Sequence, residues 1–272
     1  MSGDLLASDA EAIVNTVNTV GIMGKGIALQ FKKKFPDNFR AYERACYKGE
    51  IGIGRVFVYE TGQLTNPRFI INFPTKQHWK EKTKLEYINR GLSDLANIIK
   101  ILKINSIAVP PLGCGNGGLD WKTVRPMIEK SLGLIDGLDL RIYNPEGAPS
   151  PDKQPVSGPL PEMTPGRAAL IGLMKQYLIP GYKFTKLEIQ KLAYFLQEAG
   201  QPLRLRFEHG QYGPYANNLN HVLQRIDGHF IRGYGDGTQK SRIELLEGAS
   251  VSARELLEGD PETQDRLERV SR

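Results

Sequence analysis

Cysteine is almost missing: Cys46 and Cys114 are the only two in 272 residues. Two thiols cannot staple a disulfide-built secreted domain, so a reducing cytoplasm is the expected setting. No apolar run approaches the roughly 18 residues that span a bilayer, and Met1-Ser2-Gly3-Asp4 lacks the basic-then-apolar order of a signal peptide, so no membrane partner is expected. Histidine is scarce too. His78, His209, His221 and His229 show neither H-E-x-x-H nor paired Cys/His spacing, so no metal ligand set is expected. The second half of the chain lacks net charge: residues 146–272 hold 16 Lys+Arg and 16 Asp+Glu, whereas residues 1–145 hold 20 and 14. The whole net charge of +6 therefore lies in the first half. Either that half meets a polyanion, or a modest excess arose by chance.

What is present organises the chain into two parts. From Pro145-Glu146-Gly147 through Pro165 the sequence is dense in Pro, Gly and Ser, which reads as a semi-extended linker over 146–163 between domains 1–145 and 164–272. Before it, short β-branched or apolar runs at 12–17, 55–59, 69–73, 106–110 and 140–143 read as strands. Between them, helices are expected at 26–35 (closed by Pro36), at 85–102 with apolar residues every three or four positions, and at 123–132. That alternation predicts an α/β layered domain with a mixed sheet. After the linker, Thr164-Pro165 opens a helix and Thr185 with Glu188 forms a capping box for a second that stops at Gly200. A strand over 203–207, a helix over 214–226, a turn at 233–237 and a helix after Ser250 complete a smaller, mostly helical α+β domain, a winged-helix arrangement being one option.

Two Gly-rich loops follow strands of the first domain: residues 18–28, which include Gly21, Gly24-Lys25-Gly26 and Ile27-Ala28, and residues 111–119, Pro-Leu-Gly-Cys-Gly-Asn-Gly-Gly-Leu. Each leads toward a helix start, where free N–H groups and the helix dipole favour an anion, and glycine lets backbone approach phosphate oxygens. Such loops are either a diphosphate cradle or ordinary turns. Gly24-Lys25 lacks the Ser/Thr and the earlier glycine of a Walker A loop. Gly113, Gly115 and Gly118 match G-x-G-x-x-G, but after a late strand, which argues against the dinucleotide site of a doubly wound domain.

Taken in order, Gly3-Asp4-Leu5-Leu6, Ile13 to Asn18, Gly24 to Ala28, and Pro111 to Gly115 with Gly118-Leu119 resemble the ADP-ribose-binding macrodomain over residues 1–145. Phe31-Lys32-Lys33-Lys34-Phe35, Thr75-Lys76 and the attached helical domain resemble the branch that holds the terminal ADP-ribose protein glycohydrolase and the DarG antitoxins. The resemblance implies an enzyme without cofactor, ADP-ribose being ligand and product. Asp4 and the Leu5 backbone would meet adenine, and Asn18 would orient the distal ribose. Gly24, Gly26, Ile27, Ala28, Pro111, Gly113, Cys114, Gly115, Asn116, Gly117, Gly118 and Leu119 would surround the diphosphate and ribose. Lys76 would attack the distal anomeric carbon, with Lys80, Lys82 and Lys84 as candidate DNA-phosphate contacts. The substrate implied is ADP-ribosylated thymidine in single-stranded DNA, and the protein partner a DarT-type ADP-ribosyltransferase toxin.

Where the protein glycohydrolase has an aspartate, this chain has Gly117, with no carboxylate before Asp120. An ADP-ribosyl-protein eraser is thereby disfavoured. A non-catalytic ADP-ribose reader, in which Lys76 would be only a phosphate contact or a solvated lysine, stays open at this stage. In the second domain, Tyr194, Phe195, Tyr212 and Tyr215 are either interface anchors or core, core being favoured for Phe195.

Overall fold

The computed structural model describes residues 1–146, 159–235 and 241–271 and divides into two compact units, Met1–Pro149 and Ser150–Arg272. Residues 147–158, most of the expected linker, lie outside the described residues, as do 236–240, which include the last two residues of the expected turn.

The first unit is built on five strands, β1 (Ala12–Val17), β2 (Phe57–Glu60), β3 (Phe69–Pro74), β4 (Ser106–Val109) and β5 (Asp139–Ile142). They lie in the order β2-β3-β1-β4-β5. β1 runs parallel to β3 and β4, and β4 parallel to β5, while the edge strand β2 is antiparallel to β3. Strand alternation builds two cores. Ala12, Val14, Phe69, Ile71 and Phe73 face one way, against α3 (Leu85–Leu102) and α4 (Trp121–Leu132). Ile13 and Ile70 face the other way, beneath α1 (Gly26–Lys34). The result is the α/β/α sandwich with a mixed sheet that the alternation predicts.

A helix the sequence reading omits, α2 (Pro36–Tyr47), begins at the proline taken as a stop. Proline lacks only an N–H that a first helical turn leaves unbonded, so it starts this helix as readily as it ends the last. A buried amide chain ties α2 to the sheet: Asn15 Nδ2 donates to Asn72 Oδ1 (3.0 Å), and Asn72 Nδ2 to Asn38 Oδ1 (2.7 Å).

Gly91 sets how closely α3 lies on β3. A Cβ there would come within 2.6 Å of Cε1 of Phe73, a ring with no solvent exposure. Overpacking of this kind costs about 1–3 kcal/mol, against ~1 kcal/mol that alanine gains over glycine in a helix. Because the ring is boxed in by the core, Gly91→Ala is expected to lower the urea midpoint. A midpoint at or above wild type would show that the helix can lift without cost.

The second unit contains α5 (Pro165–Gln176), α6 (Lys186–Glu198), α7 (Asn217–Ile226), α8 (Ala249–Leu257) and α9 (Pro261–Ser271). Two antiparallel strand pairs accompany them, β6 (Phe207–Gly210) with β7 (Gly213–Ala216), and β8 (Ile231–Arg232) with β9 (Glu244–Leu245). Thr164 caps α5, and both bonds of the Thr185–Glu188 box open α6. Four expectations need correction. The strand expected at 203–207 starts only at Phe207, because Arg204 takes a left-handed φ of +56° and Leu205 pairs through both backbone groups with the Gln197 amide. The helix expected from Pro214 starts at Asn217, since residues 213–216 form the second arm of a hairpin and Pro214 sits in a two-stranded edge where a missing N–H is tolerated. The charged tail is two helices, broken where Asp260 accepts from Thr263 N (3.0 Å) and caps α9. Phe195 is 55% exposed rather than core, while Leu196 beside it is buried.

Candidate active site

A cleft of about 780 Å³ opens in the first unit. It is lined by residues at the carboxyl ends of β1 (Thr16, Val17, Asn18), β3 (Thr75, Lys76), β4 (Pro110, Pro111) and β5 (Tyr143, Asn144). Ligands of parallel sheets gather there because the strands end together while the loops to the helices diverge. Both Gly-rich loops reach it. The N-cap of α1 is Lys25, with no side chain bonded to the first-turn N–H groups, and Gly24 to Ala28 line the cleft. Donors left free at a helix start in this way are suited to an anion. The loops approach each other: Asn116 Nδ2 lies only 3.3 Å from where a Cβ on Gly26 would sit.

Most residues assigned from sequence converge on this cleft. Asp4, Leu5, Asn18, Gly24, Gly26, Ile27, Ala28, Lys76, Lys80, Pro111, Gly113, Cys114, Gly115, Asn116 and Gly117 all line it. Gly118 and Leu119 do not. They close the second loop, Leu119 N donating to Gly113 O (3.1 Å), and the Leu119 side chain leaves the cleft for the core. Lys82 and Lys84 are exposed outside the lining.

Asp4 Oδ1 accepts from Leu6 N (2.9 Å) and is the only carboxylate among the lining residues, against Lys25, Lys76 and Lys80. Asn18 has a structural duty of its own. Its Oδ1 accepts from Val20 N (3.0 Å) and Ile22 N (3.3 Å), and Tyr42 donates to its carbonyl (2.7 Å), so this amide shapes the first loop.

Lys76 leaves the end of β3 through Thr75, whose N–H donates to Val17 O (2.9 Å). Only 8% exposed, it donates from Nζ to Asn116 O (2.9 Å) and Glu81 O (3.1 Å). Burial pulls its pKa below the ordinary lysine value, with the Glu81 carboxylate opposing. A neutral amine has two hydrogens, one for each carbonyl, and a lone pair left over. When the amine is neutral, the arrangement leaves that lone pair available for nucleophilic attack. Cys114, by contrast, is pushed up to about 11, first by burial and then by Asp120, and is a thiol at neutral pH.

Gly117 is where the second loop turns against the Lys76 segment: Thr83 N donates to its carbonyl (3.0 Å). A Cβ at 117 would lie 2.8 Å from the Gly113 carbonyl carbon and overlap Gly113 O and Thr83 Oγ1. Asp120 is no substitute acid, since its Oδ1 caps α4 by accepting from Lys122 N (3.1 Å) and it does not line the cleft.

Sequence reasoning misses two lining residues, Trp79 and Tyr143. Trp79 is an aromatic set among Lys80, Glu81 and Lys82 in a loop without periodicity, which was the available signal; Tyr143 was read only as the end of a strand.

Comparison with known proteins agrees with this geometry. The Macro domain family matches residues 14–128. The chain is 51% identical over 243 residues to the "DNA ADP-ribosyl glycohydrolase" of Thermus aquaticus, covering 89% of this chain and 68% of the relative. The chain belongs to the DNA ADP-ribosyl glycohydrolase (DarG) family. A solved structure, the macrodomain of Mycobacterium tuberculosis DarG, is 56% identical and superposes with a TM-score of 0.53 over 54% of this chain and 96% of that one. Because a match over 89% of the chain exceeds the first unit, the likeness to DarG extends into the second. A "DNA ADP-ribosyl transferase-DNA ADP-ribosyl glycohydrolase fusion protein" of Thermosipho africanus is 35% identical over 169 residues, 57% of this chain and 43% of its own length. Among the described residues, no helix is long and apolar enough to cross a membrane.

Proposed function

We propose that the first unit hydrolyses the glycosidic bond between ADP-ribose and thymidine in single-stranded DNA, with Lys76 as nucleophile and no metal or cofactor in the step. The observation that carries this reading is the buried amine of Lys76, held by two carbonyls at a cleft that also takes in a helix N-terminus with no side-chain cap. The neutral amine attacks the distal anomeric carbon, a C–N bond forms to the enzyme, and the bond to thymine breaks. The electron pair goes to the thymine imide nitrogen, where two flanking carbonyls delocalise it. That anion takes its proton from water, so a carboxylic acid at position 117 is dispensable. A second water then resolves the adduct, releasing ADP-ribose and the free lysine. Asp4 and the Leu5 backbone hold adenine, the loop N–H groups hold the diphosphate, and Asn18 borders the distal ribose. Lys80, with Lys82 and Lys84 farther along the same exposed loop, meets DNA phosphates.

The second unit is the antitoxin half in this reading, binding a DarT-type toxin in the cytoplasm. The fused transferase and glycohydrolase relative supports that pairing, and exposed Phe195 and Tyr212 are its candidate anchors.

The test is release of ADP-ribose from matched ADP-ribosylated single-stranded DNA and ADP-ribosylated protein. Release from DNA is expected. Binding of ADP-ribose with no release from either substrate would make the chain a reader, and release from protein alone would make it a different eraser.

A further inference from the structure

We propose that Trp79 is a specificity residue of this site, a stacking platform for the thymine that leaves, with Lys80 holding a phosphate beside it. The inference deepens the glycohydrolase reading above and rests on it.

Trp79 is 46% exposed although it is the kind of side chain a fold usually buries, and it lines the same cleft as Lys76. The only other tryptophan, Trp121, packs partly buried against the main core. The loop does not need the Trp79 ring to hold its path. Thr19 N and Oγ1 both donate to Gln77 O (3.0 Å each), and Thr83 N donates to Gly117 O, so the segment is pinned on either side by backbone groups. The ring is instead dressed for a planar anionic partner. The His78 ring packs against it at 5.3 Å, and the Lys80 ammonium lies over the ring, 5.0 Å from its centroid, where a stacking base takes its place and the ammonium moves to the neighbouring phosphate. Ile22, 45% exposed and also in the lining, adds apolar surface from the first loop.

An indole face beside an ammonium group is the pairing that holds a nucleotide of a single strand: base on ring, phosphate on cation. Because the base to be expelled is bonded to the anomeric carbon that Lys76 attacks, a platform sharing Lys76's cleft takes that base rather than a distant one. The adenosine half of the ligand does not reach this ring in the proposed pose, since its seat is at Asp4 and Leu5.

The test compares wild type, Trp79→Ala, Trp79→Phe and Lys80→Ala on an ADP-ribosylated single-stranded oligonucleotide and on the free nucleoside ADP-ribosyl-thymidine, with ADP-ribose affinity measured separately. For Trp79→Ala, KM is expected to rise roughly tenfold to a hundredfold on both substrates, at unchanged ADP-ribose affinity. Trp79→Phe is expected to recover most of that loss. Lys80→Ala should raise KM for the oligonucleotide only and make its salt dependence shallower by about one counterion. An unchanged KM for Trp79→Ala, a loss on the oligonucleotide alone, or an equal loss of ADP-ribose affinity would each overturn the assignment. Wild type that releases nothing from DNA would sink the function reading itself.

Discussion

Lys76→Ala is expected to lower release of ADP-ribose from modified DNA on the order of a thousandfold or more while ADP-ribose binding stays within a few-fold of wild type. In the proposed mechanism the substitution removes the attacking atom but not the cradle, because the diphosphate is assigned to backbone N–H groups in the two loops. Of the carbonyls left without the amine, Asn116 borders the open cleft and Glu81 belongs to an exposed residue, so water can take over their hydrogen bonds. Lys76→Arg should be equally inactive, since a guanidinium keeps its proton and offers no lone pair. Wild-type turnover should also rise with pH. Only the neutral amine attacks, so below the lysine pKa the rate climbs about tenfold per pH unit, and it levels off where the amine is mostly free. Burial lowers that pKa, so the plateau should come below the ordinary lysine value of 10.5. Lys76→Ala with wild-type turnover, or a flat wild-type profile across this range, would remove the lysine from the chemistry.

The parts of this molecule that were legible in its sequence are those fixed by local rules. β1 repeats β-branched residues and occupies the expected 12–17, and α3 carries its apolar stripe over the expected 85–102. The glycines of the two loops stand at strand ends, and that placement found the cleft. What escaped was set by partners remote in sequence. Residues 203–206 alternate like a strand, yet the Gln197 and Asn218 side chains take their backbone groups before any strand can. Pro36 and Pro214 are ambiguous as local signals, because one residue can end, begin or edge an element. In the site, Lys76 was found through its motif. Of its two carbonyl partners, that of Glu81 lies 5 residues on in the same loop, while that of Asn116, 40 residues away, arrives only once the second loop folds back. Asn18 carries another lesson: a residue in a binding motif can also be what gives the motif its shape.

That fold-back predicts what happens when the missing carboxylate is supplied. Gly117→Asp, which places an acid where the related protein glycohydrolase has one, is expected to abolish turnover. Even Gly117→Ala should cost about a hundredfold in turnover, the scale on which an ångström-sized displacement acts on a reacting geometry, and should weaken ADP-ribose binding as well. A Cβ at 117 overlaps Gly113 O and Thr83 Oγ1. The first is backbone, and the second belongs to a buried side chain whose hydroxyl already lacks a hydrogen-bond partner. Neither can swing aside like the end of a long side chain, so the loop itself must shift. The shift would carry away Asn116 O, one of the two acceptors of Lys76, and loosen the bond from Thr83 N to Gly117 O. Binding and chemistry should therefore fall together, unlike the pure rate loss of Lys76→Ala. The control is Gly115→Ala. Its Cβ would meet nothing within 4 Å and its φ is not positive, so its melting temperature should match wild type while that of Gly117→Ala drops by several degrees. Wild-type turnover by Gly117→Asp would show instead that the second loop can re-form around a carboxylate, and that proton donation was the missing part.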